Sequence, residues 1–190
     1  MSETAHDERR RAIAHVAIGL IAREGLEAAT VRRIAAEVGF STTIVTHYFA
    51  DKQELLLWAY RAIDEWARER FDDAMARDPV DLVHYLMSMC AVREVDKVNW
   101  RPLIGIWDRA LRDPAFAAEL HGWTDTTLAR IAAIVRIRDP DCTEPAKAAR
   151  RLLAMVQGIS LQTLFDRDSW TDEAVREALT SEVDLLVPCR

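Results

Sequence analysis

Apolar residues in this chain return every three to four positions, and that period decides what it can fold into. Between Asp7 and Arg23, the residues Ile13, Val16, Ala17, Leu20 and Ile21 stand at i, i+3, i+4, i+7 and i+8, which places them on one stripe of an α-helix. Few runs alternate apolar with polar as a half-buried strand would. Half of the residues are hydrophobic, and only six Gly and six Pro interrupt them. Ala, Leu, Arg and Glu, all strong helix formers, dominate. An all-α fold is predicted.

Local signals divide the chain. Gly25 stands where a left-handed residue ends the first helix. Thr30 caps a short helix to Val38 whose inner residues are Ile34, Ala35 and Val38. Arg33 occupies the position where a capping box would have Glu. Gly39 permits a sharp turn, Phe40 plugs it, and Ser41 caps a helix from Thr42 to Tyr48. Asp51-Lys-Gln-Glu54 is a capping box for a long helix to about Ala76, with Trp58, Ile63 and Trp66 among its apolar positions. Asp78-Pro79, Arg101-Pro102, Asp113-Pro114 and Asp139-Pro140 each mark a helix start or break. The segments between them are 79–92, 100–112, 114–137 and 145–166. Thr171, with Asp172 and Glu173 in the first turn, opens a last helix to about Val187. No repeat or long linker intervenes, so the helix from Asp51 joins two parts, 1–50 and 51–190, without a flexible hinge.

The net charge of −6 is unevenly spread. Residues 9–52 hold seven basic groups (Arg9, Arg10, Arg11, Arg23, Arg32, Arg33, Lys52) against four acidic ones, while 53–190 carry 18 basic and 24 acidic groups. A basic end on an acidic body suits contact with a polyanion through one part only. Apolar runs fall far short of the roughly 18 residues of a membrane span, and the first twelve residues lack the apolar core of a signal peptide. A soluble cytoplasmic protein without a membrane partner is expected. Cys90, Cys142 and Cys189 are odd in number and show no CxxC spacing, so they read as buried or incidental thiols. His84, Cys90 and His121 fall on different segments without ligand spacing, and no metal or cofactor is expected. No nucleophilic triad, phosphate loop or dinucleotide fingerprint is present, which argues against an enzyme.

Two short helices joined by a Gly turn, the second amphipathic, meet the requirements of a helix-turn-helix. Val45 and Phe49, with Ile44 beside them, are expected to point to the core. Thr42, Thr43, Thr46 and His47 remain on the outer side, where hydroxyls meet phosphates or base edges and a Thr methyl meets a thymine methyl. Spacing alone is equally compatible with two ordinary helices and a turn.

The stretch from Thr30 to Leu56, TVRRIAAEVGFSTTIVTHYFADKQELL, resembles the DNA-binding signature of the TetR family: T-x-x-x-I-A, then G-x-S, an aromatic pair ending in Phe, and K-x-x-L. Residues 10–56 follow that pattern nearly throughout. The resemblance implies an N-terminal three-helix DNA-binding domain joined to a larger helical ligand-binding and dimerisation domain. It implies that Thr30 and Lys52 hold phosphates, and that Arg32, with Arg33 beside it, lies on the DNA surface. Thr42, Thr43 and His47 would lie against the groove, and Tyr48 would contact the DNA backbone or brace the helix. Val45-Thr46 stands where the family usually has Leu-Tyr, and Thr43 replaces a common Gly.

Beyond residue 53 the aromatic content stands out, with Trp58, Trp66, Trp100, Trp107, Trp123 and Trp170 all in this part. Small-molecule pockets between helices are mostly apolar with a few polar groups. Trp107, Ile104 and Met87, together with Phe116, Trp123 and Thr127, are candidates to line one; plain core packing is the alternative. On 145–166, Ala148, Leu152, Met155, Ile159 and Gln162 form one stripe, and Ala149, Leu153, Val156 and Ser160 form a second. So wide an arc must be buried on two sides. With Val175, Leu179, Val183 and Leu186 of the last helix, it predicts a homodimer through a four-helix bundle; a monomer with a thick core is the alternative. Trp107-Asp108-Arg109-Ala110 before Asp113-Pro114, and Leu153–Ile159 with Gly158, are similar to the choline-responsive BetI branch. Gln157 replaces an Asp common there, so ligand identity does not carry over.

The expectation is a dimeric regulator, a repressor released from a pseudo-palindromic double-stranded operator by an unidentified small molecule. The rival is a DNA-binding regulator without an effector, controlled by a protein partner or by abundance.

Overall fold

The computed structural model describes residues 3–166 and 168–188. Among them the chain forms helices α1 (Glu3–Glu24), α2 (Val31–Val38), α3 (Thr42–Tyr48), α4 (Lys52–Arg77), α5 (Leu82–Met89), α6 (Glu94–Ala110), α7 (Pro114–Arg138), α8 (Pro145–Thr163) and α9 (Asp172–Leu186). None of the described helices is long and apolar enough to cross a membrane.

Several ends differ from the sequence expectation. Helix α1 begins at Glu3 rather than Asp7. Helix α5 is shorter than 79–92, because Asp78 holds a turn instead of capping: its carboxylate accepts from Val80 N at 3.0 Å. Asp81 then supplies the cap, accepting from His84 N at 2.8 Å. Helix α6 starts at Glu94 and runs through Pro102, where a start was expected. Glu94 and Asp96 complement the positive end of its first turn. Pro102 removes the N–H that would bond the carbonyl of Val98, and Val98 itself is exposed. Helix α8 stops at Thr163, whose hydroxyl donates to the carbonyl of Ala91 at 3.0 Å.

The chain divides into two compact units: residues up to Trp66 together with Val98–Leu120, and Ala67–Lys97 together with the residues from His121 onward. In the first unit α1, α2 and α3 pack on one another around fully buried Ile13, Leu20, Ile34, Val45 and Leu55. Gly105 of α6 lies close to the segment after α1, where an added Cβ would stand 3.3 Å from Leu26 Cβ.

In the second unit α5 packs on both α8 and α9, which also pack on each other. Leu82 and Leu86 meet a core built from Leu152, Val156, Val175 and Leu179, all fully buried. Ser160 ties α8 to the chain after α5 by accepting from Ala91 N at 3.1 Å. The Arg138 guanidinium holds the end of α9, donating to the carbonyl of Val187 at 3.2 Å.

Candidate functional site

The turn between α2 and α3 is built by three local devices. Thr30 Oγ1 accepts from Arg33 N at 3.2 Å, capping α2. Gly39 adopts φ 78°, a left-handed geometry that disfavours any side chain, and Phe40 N donates back to the Ala35 carbonyl at 2.8 Å. Ser41 Oγ then accepts from Ile44 N at 3.3 Å to start α3. Val45 and Phe49 are buried, as expected, and Tyr48 joins them at 8 % exposure. The Tyr48 ring thus packs inward with them. Ile44 corrects the expectation that it faces inward: at 42 % exposure it lies on the outer surface. The inner arc of so short a helix is filled by Val45 and Tyr48, one turn apart.

Thr42, Thr43, Thr46 and His47 are all exposed on α3. The Thr46 hydroxyl donates to the carbonyls of Thr42 and Thr43, at 3.2 and 3.1 Å, which leaves its methyl as the group to offer. The hydroxyls of Thr42 and Thr43 are exposed donors for phosphates or base edges. Arg32 is exposed at the start of α2. Arg33 is instead bonded to Glu24 at 2.7 Å, and that guanidinium holds the Glu24 carboxyl below its usual range. Lys52 is half-buried in the first turn of α4. That helix is capped as expected, with Asp51 accepting from Glu54 N at 2.8 Å and Glu54 from Ala50 N at 2.7 Å.

Helix α1 supports the motif from behind. The Arg9 guanidinium lies 5.5 Å over the Phe40 ring, and Arg10 lies 5.6 Å over Phe49 and 5.2 Å over Trp58. Arg10 also bonds Glu54 at 3.1 Å. Both arginines read from sequence as part of a basic surface; their aromatic seats depend on helix packing that linear charge counts do not contain.

The candidate pocket residues fall in both units. In the first, Ile104 and Trp107 are half-buried and Phe116 is buried. Trp107 stands edge-on to Trp100 at 5.9 Å. The Trp107 Nε1 and Tyr60 hydroxyl are buried without a hydrogen-bond partner, and burial, then the nearby Asp64 and Glu119 carboxylates, push the Tyr60 phenol well up. In the second unit Trp123 and Thr127 lie one turn apart on α7, both buried, and the Trp123 Nε1 and Thr127 Oγ1 also lack a partner. Met87 corrects the apolar expectation, for it lines a cleft of about 230 Å³ with Arg70, His84, Arg93, Asp96 and Arg176. Asp96 is buried there between Arg70 at 3.0 Å and Arg93 at 2.7 Å.

The expected dimer stripe lies mostly inside the chain. Leu152, Ile159, Leu179 and Val183 are buried, covered by the packing of α5, α8 and α9. Met155 and Leu186 are half-buried, and Gln162 is exposed with its amide oxygen accepting from Trp170 Nε1 at 3.0 Å. The outward face of α8 is a neighbouring arc: Ala154, Gly158, Leu161 and, just beyond the helix, Phe165 at 79 % exposure. Half-buried Ala174 and Ala178 and exposed Ser181 and Leu185 continue it on α9. An added Cβ on Gly158 would meet nothing within 4 Å.

Residues 13–58 match the model of the tetR family of bacterial regulatory proteins, and 79–188 match the C-terminal domain of the BetI-type transcriptional repressors. The transcriptional regulator PksA of Bacillus subtilis is 37% identical over 188 residues, covering 94% of this chain and 90% of PksA. A transcriptional regulator from Rhodococcus sp. Rha1 superposes with a TM-score of 0.84 at 22% identity, over 93% of this chain and 95% of its own. The multidrug-binding protein EbrR, solved with imidazole, superposes with a TM-score of 0.67 at 26% identity, over 92% of this chain and 94% of its own. The polar outer face of α3, the left-handed turn at Gly39 and these matches along both halves agree: the chain belongs to the TetR family of transcription regulators.

Proposed function

We propose that this regulator is a dimeric, cytoplasmic repressor whose residues 1–50 read a pseudo-palindromic operator, and whose residues 51–190 take up a small-molecule effector and a second copy of the chain. The observation that carries the reading is the outer face of α3, where Thr42, Thr43, Ile44, the Thr46 methyl and His47 are exposed on a helix held to the core by Val45 and Phe49. Such a face offers short donors and apolar groups to base edges in a major groove, with Arg32, Lys52 and Thr30 flanking it toward phosphates.

The exposed arc Ala154, Gly158, Leu161 and Phe165, with its continuation on α9, supports pairing of two chains about a two-fold axis. Two recognition helices would then enter successive major grooves about 34–36 Å apart. Effector response is supported by buried donors without acceptors, Trp123 and Thr127 in one unit and Trp107 and Tyr60 in the other, because a ligand can supply what the chain does not. EbrR, which resembles this chain, was solved with a small molecule bound. Helix α4 contributes residues to both units and is the proposed lever, with α6 reaching the DNA-reading unit where Gly105 abuts Leu26. Only a ligand that binds the two states unequally can shift them.

Mobility-shift titration on the DNA flanking its own gene tests the central claim. Sequence-specific binding that Thr43→Ala and His47→Ala weaken or broaden is expected. Binding that is salt-sensitive, indifferent to sequence and unchanged by both substitutions would overturn it.

A further inference from the structure

The first turn of α1 is polar: among its residues only Ala5 is apolar, and Ala5 is exposed. His6 of this turn meets the rest of the unit through a ring contact. The His6 imidazole lies 4.9 Å from the Tyr48 ring, tilted by 42°, and 6.3 Å from the His47 ring at 77°. Tyr48 and His47 are themselves 5.4 Å apart, edge to face. The three rings close a triangle at the last turn of α3.

His6, Arg9 and Arg10 stand at i, i+3 and i+4 and therefore share one face of α1. Arg9 and Arg10 grip the turn residue Phe40 and the helix-ending Phe49, so this face holds the motif at three successive points. The three points differ in what they reach. Phe40 and Phe49 anchor the motif, whereas His47 is exposed on the outer face. A free imidazole on a helix end samples several rotamers, and ordering it opposes binding only at sites where the ring must be fixed to meet a base edge. A ring packed against two others before DNA arrives presents its nitrogens in one place.

We propose that His6 is a specificity-determining positioning residue, which sets the orientation of the His47 ring, through Tyr48 and by direct contact, before the operator is met. The inference rests on α3 being the recognition helix. Through this contact the N-terminal turn adjusts which base pair is preferred without touching it.

The test is selection from randomised duplexes, followed by competition binding on the selected site and its single-base variants, for the wild type, His47→Ala, His6→Ala and His6→Phe in the full chain. His47→Ala should relax preference at one position of each half-site. His6→Ala should relax the same position by about five- to tenfold, with affinity for unrelated DNA unchanged. His6→Phe, which restores a ring, should recover most of the preference. Wild-type preference in His6→Ala, or a loss uniform across all sequences with no recovery in His6→Phe, would overturn the proposal while leaving the recognition helix intact. Absence of sequence-specific binding by the wild type would overturn that reading of α3, and this proposal with it.

Discussion

Helices α3 and α8 are both amphipathic, but they use their apolar residues in opposite ways. In α3, seven residues long, Val45 and Tyr48 fill the inner arc and everything outside it is polar or small, apart from Ile44. A helix covered from one side leaves little ambiguity about what remains exposed, and only Ile44 departs from the expected division. Helix α8, with 19 residues, is apolar over most of its circumference. Two of its three arcs are buried within the chain, against α5 and α9 among other neighbours, and the third, through Ala154, Gly158 and Leu161, faces outward. Where apolar residues exceed what one neighbour can cover, composition states that burial occurs but not which arc meets which partner.

The contrast can be broken most severely at the anchor of α3. Phe49→Ala removes a buried ring and is expected to lower unfolding stability by about 3–5 kcal/mol, read by denaturant titration, with loss of operator binding. On α8 the buried and outward arcs should separate cleanly. Leu152→Ala is expected to cost about 2–5 kcal/mol of folding stability. Phe165→Glu and Gly158→Arg should leave the fold intact and weaken dimerisation by about a hundredfold or more, equivalent to some 2.8 kcal/mol. Sedimentation at several concentrations distinguishes them; dissociation caused by Leu152→Ala without loss of stability would return the interface to the buried arc.

Smaller effects sharpen the same division. Thr127→Val removes a buried hydroxyl that lacks a partner, so the ligand-free protein should gain about 1 kcal/mol of stability. A lower melting temperature would show that the hydroxyl is satisfied and would weaken the effector reading. Burial pushes the Cys90 thiol up to about 12, so at pH 8 it stays protonated in the folded protein. Alkylation at Cys90 should therefore follow global unfolding, monitored by mass spectrometry, while half-buried Cys142 reacts sooner. Smallest of all, Arg33→Ala should leave operator affinity nearly unchanged, because Glu24 already occupies that guanidinium; a large loss would mean that DNA displaces Glu24.

What could be read in the residues alone were features with a local cause. The Gly39 turn, the caps at Thr30, Ser41 and Asp51, and the outward Thr42, Thr43 and His47 follow from hydrogen bonds and helical period within a few positions. The family resemblance from Thr30 to Leu56 rests on the same short-range pattern. The caps of α5 and the passage of α6 through Pro102 escaped it, because Asp78 and Asp81 compete for one role and a proline can sit inside a helix at the loss of one backbone hydrogen bond.

The sequence by itself therefore determined that this chain is helical, that a helix-turn-helix lies at 30–48, and that Thr42, Thr43, Thr46 and His47 face away from its core, but not that Ile44 does. Tertiary structure alone decided that Arg33 belongs to Glu24, that Met87 lines a charged cleft, that His6 reaches the recognition helix, and which arc of α8 is left outward. Period and capping act between neighbours along the chain, whereas each of these outcomes depends on a residue from a distant helix arriving at the same place.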